Sequence, residues 1–176
     1  MHSIRQQQTL ARTVALSGFG FWSGIDAVVE FRPAPPDTGV VFVRRDLPGQ
    51  PRIPAHVDRR ANVPRRTNLG VRAADGSEAT VEMVEHLLAA CYSQQVDNCE
   101  VWVDAAEIPG LDGSSAAFVE VLDLAGRVQQ PAGRRTLHVT ETIRVAQDNT
   151  WIEARPSARP GLHLEYHLNY AGSPAI

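Results

Sequence analysis

Apolar and polar positions alternate through much of the first half of the chain, and glycine and proline cut the alternation into short pieces. Residues 9–16 alternate loosely and predict a strand, which Ser17-Gly18-Phe19-Gly20 breaks. Ala27-Val28-Val29-Glu30-Phe31 predicts a second strand, stopped by Pro33, Pro35 and Pro36. Asp37-Thr38-Gly39 is a turn signal, and Val40-Val41-Phe42-Val43 is apolar and β-branched enough for a buried strand. Residues 48–66 are rich in proline and arginine and are expected to wind over the surface.

The spacing then changes. The clearest helix is expected to begin near Thr80, a good N-cap, with Glu82 placing negative charge in the first turn and no glycine or proline following for many residues. Val81, Val84, Leu88 and Cys91 fall at helical spacing and predict its buried stripe. Asp97-Asn98 ends this unit. Residues 100–103 read as a strand with Val101 and Val103 on one face and Trp102 on the other. Ser114 as cap, an apolar face of Phe118, Val121, Leu122 and Ala125, and Gly126 as stop predict a second helix. Gln129-Gln130-Pro131-Ala132-Gly133 has the composition of a linker. Beyond it, residues 137–145, 150–154 and 162–170 read as three strands, too few to bury a face alone. The expected organisation is a first domain over 1–130 and the incomplete start of a second over 136–176.

Composition narrows the function classes. The chain has 176 residues, 43% hydrophobic and 21% charged, as expected of a globular protein rather than a disordered one. All 17 basic residues are arginines and the net charge is −3, so no nucleic-acid partner is expected. Arg59-Arg60, Arg65-Arg66 and Arg134-Arg135 read as solvated loops. No apolar stretch approaches the roughly 20 residues of a transmembrane helix, and Met1-His2-Ser3-Ile4 with the polar residues after it lacks a signal peptide's apolar core. Cytoplasmic residence is the expectation. Cys91 and Cys99 match no disulfide framework or zinc ribbon and read as small buried hydrophobes.

Three segments could carry chemistry. In Val84-Glu85-His86-Leu87-Leu88, a glutamate precedes a histidine on a helix. Either the two are rim neighbours, one solvated and one half-buried, or His86 is a metal ligand and Glu85 the general base beside it. A second histidine four residues away is missing, since Glu82 and Ala90 occupy those positions, so further ligands must come from elsewhere. Glu107-Ile108-Pro109-Gly110-Leu111-Asp112-Gly113-Ser114-Ser115 could present backbone N–H groups and a carboxylate to a pocket, or be a turn with an N-cap. Ser17-Gly18-Phe19-Gly20-Phe21-Trp22-Ser23-Gly24 lacks nucleotide-binding spacing and fits a tight hairpin beside aromatic packing. His163 and His167 would stand roughly 13 Å apart in a strand, too far for one metal; His2, His56 and His138 show no ligand spacing either.

Taken together, these pieces resemble the LpxC family of UDP-3-O-acyl-N-acetylglucosamine deacetylases. The landmarks run in the family's order: Gln8-Thr9-Leu10, the glycine-rich turn 17–24, Pro33-Ala34-Pro35-Pro36-Asp37-Thr38-Gly39-Val40-Val41-Phe42, Arg66-Thr67-Asn68-Leu69-Gly70, Val84-Glu85-His86-Leu87-Leu88-Ala89-Ala90, Val96-Asp97-Asn98 and Glu107-Ile108-Pro109-Gly110-Leu111-Asp112-Gly113-Ser114. The resemblance implies an α+β fold of two similar domains, each a sheet with helices packed on one face, with the site between them. It implies a Zn2+ cofactor and UDP-3-O-acyl-N-acetylglucosamine as substrate in lipid A synthesis. It implies His86 as a zinc ligand, Glu85 as general base, Thr67 as a substrate-lining residue and Asp112 as a supporting one.

This sequence departs from the family pattern in three ways. Trp22 stands where the family usually has histidine. Gly172-Ser173-Pro174-Ala175-Ile176 stands where it usually reads His-Pro-Ala-Ile. The family's other ligands, a histidine and an aspartate four apart on a second-domain helix, match nothing here, nor does its oxyanion-stabilising histidine. The 176-residue chain is therefore expected to be nearly inactive alone, needing the second domain. A non-catalytic binding or regulatory module on the same fold is the alternative.

Overall fold

The computed structural model of the chain describes residues 5–63, 66–73 and 75–168. His2, Arg65, the end of the strand expected over 162–170 and the segment 172–176 lie outside them. The fold is α+β, and the chain divides into two compact units, Met1–Arg134 and Arg135–Ile176.

In the first unit, β1 (Gln6–Leu10), β2 (Val14–Phe19), β3 (Asp26–Pro33), β4 (Val40–Arg44) and β5 (Arg52–Pro54) precede β6 (Leu69–Arg72) and β7 (Glu78–Val81). Helix α1 (Glu85–Ser93), β8 (Cys99–Val103), α2 (Ala116–Ala125) and β9 (Arg127–Gly133) follow. The five-stranded sheet has the order β2-β3-β8-β4-β5, antiparallel except for the β8–β4 pair.

Its register explains the core. Val14, Phe31, Val101, Phe42 and Ile53 lie opposite one another across all five strands, and the last four are fully buried. Leu87, Ala90 and Cys91 of α1 and Phe118, Leu122 and Ala125 of α2 join the same core, so both helices cover this face. The reverse face carries charge: Arg52 pairs with Glu100, Arg45 with Asp104 at 2.8 Å, and Arg32 lies 3.9 Å over the Trp102 ring. Alternation along β3 and β8 thus sorts apolar residues inward and ion pairs outward.

Several sequence-based expectations are corrected. The strand over 9–16 is two strands, β1 and β2, separated by a turn at 11–13. Residues 129–133 are not a linker: they form most of β9, antiparallel to β1. The surface stretch 48–66 contributes β5, whose Ile53 is wholly buried. Thr80 does not cap α1. Thr80 and Val81 pair with Gly70 and Leu69, as suits β-branched residues, and Met83 takes a left-handed φ of 58° before the helix starts. Leu87 therefore takes the core position predicted for Leu88, which is half-buried. Cys91 and Cys99 are buried free thiols, as expected, and their mutual contact with burial pushes the Cys99 thiol well up.

In the second unit, β10 (Ile143–Gln147) and β11 (Thr150–Ala154) form an antiparallel hairpin, with Arg144 4.3 Å over the Trp151 ring. Residues 137–142 and 162–168 are not strands.

Candidate active site

Helix α1 opens on the Glu85-His86 pair, and both side chains are half-buried. Glu85 Oε2 is inaccessible to solvent and meets no protein donor. A buried carboxylate oxygen without a partner is costly, and natural proteins keep few of them. The helix start is held by tertiary contacts rather than by a capping side chain: the Val84 N–H donates to the Thr67 carbonyl at 3.4 Å. Met83 in the left-handed region stores strain one residue earlier, a cost of order 1–3 kcal/mol for a non-glycine residue that the flanking strand and helix must overcome.

Asp112 is exposed and accepts from the Ser114 N–H at 2.9 Å and its hydroxyl at 2.8 Å. Those bonds hold its carboxyl below the usual carboxylate range, and a positive charge on His86 acts in the same direction. His86 thus lies within electrostatic reach of Asp112. The structure places Thr67 against the start of α1 through its carbonyl.

Glu107, Gly20 and Asn68 join the same region, as does Arg66, which is not the solvated loop residue expected. The Glu107 carboxylate accepts from the Trp22 N–H and the Ser23 N–H, each at 2.8 Å, and so grips the glycine-rich turn. Burial acts to raise its pKa, but these donors, with the Ser23 hydroxyl and the Phe21 N–H, hold it below the usual range. Residues 107 and 82 bridge in parallel, with the Glu82 N–H donating to the Ala106 carbonyl at 2.8 Å and the Ile108 N–H to that of Glu82 at 3.0 Å. Arg66 spans the gap, 3.5 Å from Glu82 Oε2 and 5.0 Å from the Trp22 ring centre. Asn68 is buried with an unpartnered Oδ1. A buried glutamate has no sequence signature, which is why Glu107 passed unremarked within its motif.

Among the described residues, no three His, Cys, Asp or Glu side chains converge to hold a metal ion. The fit to zinc is therefore partial: one imidazole and a neighbouring carboxylate. Two surface hollows are found elsewhere, one of about 410 Å³ lined in part by Arg52, Arg59 and Arg72 and one along the β10–β11 hairpin, and neither includes Glu85 or His86. Among the described residues no helix is long and apolar enough to cross a membrane.

The family model for UDP-3-O-acyl N-acetylglycosamine deacetylase, LpxC, matches residues 7–176. The chain belongs to the LpxC family. It is 40% identical over 164 residues to proteins named UDP-3-O-acyl-N-acetylglucosamine deacetylase from Brucella melitensis, Brucella ovis and Brucella abortus. Each alignment covers 93% of this chain and 55% of the relative, so the chain spans about half the length of the curated relatives it matches.

With membership of the LpxC family shown, its motifs separate into two groups by what they touch. Val96-Asp97-Asn98 serves the fold: Asp97 takes both oxygens to Arg5 at 2.7 and 2.8 Å, and Asn98 is buried in an amide network. The glycine-rich turn, residues 66–68, the start of α1 and residues 107–112 instead meet around Glu82 and Glu107. Gly20 is required at this junction. A Cβ there would lie 2.8 Å from Glu107 Cδ and closer still to its Oε2 and to Ser23 Oγ. Gly20→Ala is expected to cost about 2–3 kcal/mol, seen as a lower urea midpoint with an unchanged slope; a midpoint equal to the parent's would show that the turn can move aside.

Proposed function

We propose that the protein to which this chain belongs is a zinc-dependent deacetylase of the cytoplasm, removing the acetyl group from UDP-3-O-acyl-N-acetylglucosamine in lipid A synthesis. The observation that carries this is Glu85 Oε2, buried without a donor beside His86 at the start of α1, in a chain whose family relatives bear that deacetylase name. The chain supplies one imidazole ligand, His86, and one general base, Glu85. The other ligands come from a second domain, of two with similar architecture, and the 176-residue chain alone is inactive.

Zinc, when bound, supplies Lewis-acid polarisation of the amide carbonyl and makes water a better acid. Glu85 Oε2, with no protein hydrogen to accept, is free to take a proton from the water that attacks the carbonyl carbon. The C–N bond then breaks, acetate departs, and Glu85 returns the proton to the amine nitrogen. Thr67, whose carbonyl anchors the helix start, lines the edge where substrate approaches.

The test is acetate release from UDP-3-O-acyl-N-acetylglucosamine by the full-length protein. Chelation should abolish release and added zinc restore it, and His86→Ala should lower the zinc retained after dialysis. Release unaffected by chelator, or by loss of His86, would refute the zinc enzyme. Tight substrate binding without release would favour the non-catalytic module.

A further inference from the structure

The glycine-rich turn is built in a way the fold alone does not require. Phe19, Phe21, Trp22 and Ile25 are 58–68% exposed, so the turn contributes little apolar burial. Phe21 and Trp22 nevertheless hold a defined edge-to-face pair, with centroids 5.0 Å apart and planes at 89°. What fixes them is Glu107, itself only 6% exposed, through the 2.8 Å bonds from the Trp22 and Ser23 amides. Further bonds lock the loop: Gly20 N–H to the Ile25 carbonyl at 2.9 Å, Gly24 N–H to that of Gly20 at 3.0 Å, and Gly110 N–H to that of Phe19 at 3.0 Å. Burying a carboxylate is costly unless its oxygens are fully hydrogen-bonded. Here a buried charge is used to order side chains that stay in solvent. The same residue pairs with Glu82, three positions before α1 begins at Glu85, and Arg66 lies between Glu82 and the Trp22 ring, so the turn is joined to the segment that leads into α1.

We propose that Glu107 is a positioning residue: it holds Phe21 and Trp22 as a rigid apolar contact for the substrate beside the Glu85-His86 helix. The proposal rests on the function given above. A glutamine at 107 offers one oxygen where two N–H groups need acceptors, and its own amide would face the second N–H donor to donor. The turn would then sample several conformations, and bound substrate would have to select one of them. That weakens binding without touching the group that moves the proton.

The experiment uses the full-length protein. Glu107→Gln should raise KM about tenfold or more while leaving kcat within about twofold, with circular dichroism and zinc content unchanged. In a Glu85→Gln background, which binds without turning over, calorimetry with UDP-3-O-acyl-N-acetylglucosamine should show the same loss of affinity. A Phe21→Ala, Trp22→Ala pair should lose as much, and adding Glu107→Gln to that pair should cost nothing more, because all three act through one turn. Unchanged affinity in Glu107→Gln, a loss confined to kcat, or a further loss in the triple variant would each overturn the role of Glu107. Should Glu107→Gln not fold, the aromatic pair decides: affinity unchanged on its removal overturns the proposal. Absence of any substrate binding to the parent overturns the function given above and this role with it.

Discussion

Glu85→Gln in the full-length protein is expected to lower acetate release by about 10²–10⁴-fold, and to do so without loosening the fold. In the mechanism proposed above, this change takes away the acceptor for the proton of the attacking water, and an amide of the same shape cannot replace it. The orphaned Oε2 gives the second half of the expectation. A buried carboxylate oxygen without a donor carries a desolvation cost that a neutral amide carries less of. The half-exposed setting of Glu85 reduces the difference, so the variant should match the parent in stability or exceed it by up to about 1 kcal/mol. Urea unfolding and a steady-state assay on one preparation measure both. Activity within threefold of the parent would refute the assignment of Glu85. A drop in stability with a matching drop in activity would mark it as a structural residue.

Asn98→Leu is expected to be the most destabilising single change at a site with no part in the chemistry. Asn98 is 1% exposed, and its amide makes three bonds: Nδ2 to Gln7 Oε1 at 2.8 Å and to Gln130 Oε1 at 2.7 Å, and Oδ1 from the Gly39 N–H at 2.8 Å. Gln130 donates onward to the Ala34 carbonyl at 2.8 Å. The network ties β1, β9, the 34–39 loop and the entry to β8. Leucine would leave the half-buried Gly39 N–H and the buried Gln130 Oε1 without partners, while Gln7 Oε1 keeps the Asp37 N–H at 2.9 Å. Two stranded groups at about 1–3 kcal/mol each put the loss near 3–4 kcal/mol. That is a large share of a domain stability of about 5–15 kcal/mol. The check is a urea midpoint; a shift under about 0.5 kcal/mol would show that water or side-chain rotation rescues both groups.

How far the sequence speaks depends on the range of the forces involved. The strands read at 27–31, 40–43 and 100–103 are legible because alternation and β-branching are properties of neighbours, and α2 because its apolar stripe and Gly126 stop are local too. The Glu85-His86 pair stands out as a candidate for chemistry because the residue types and their motif lie side by side. Pairing was not. β9 has the composition of a linker, and only the edge offered by β1 makes it a strand. Thr80 and Val81 could cap a helix or extend a strand, and the neighbouring β6 decided for the strand, moving the helix start to Glu85. Glu107 and Asn98 carry no local mark at all: both are polar residues whose worth comes from donors and acceptors 32 to 91 positions away. The sequence by itself determined which segments could be strand or helix and which residues could act on an amide. Only the tertiary structure decided which strands pair and which buried polar groups are satisfied, because hydrogen bonds and desolvation depend on what lies across space rather than along the chain.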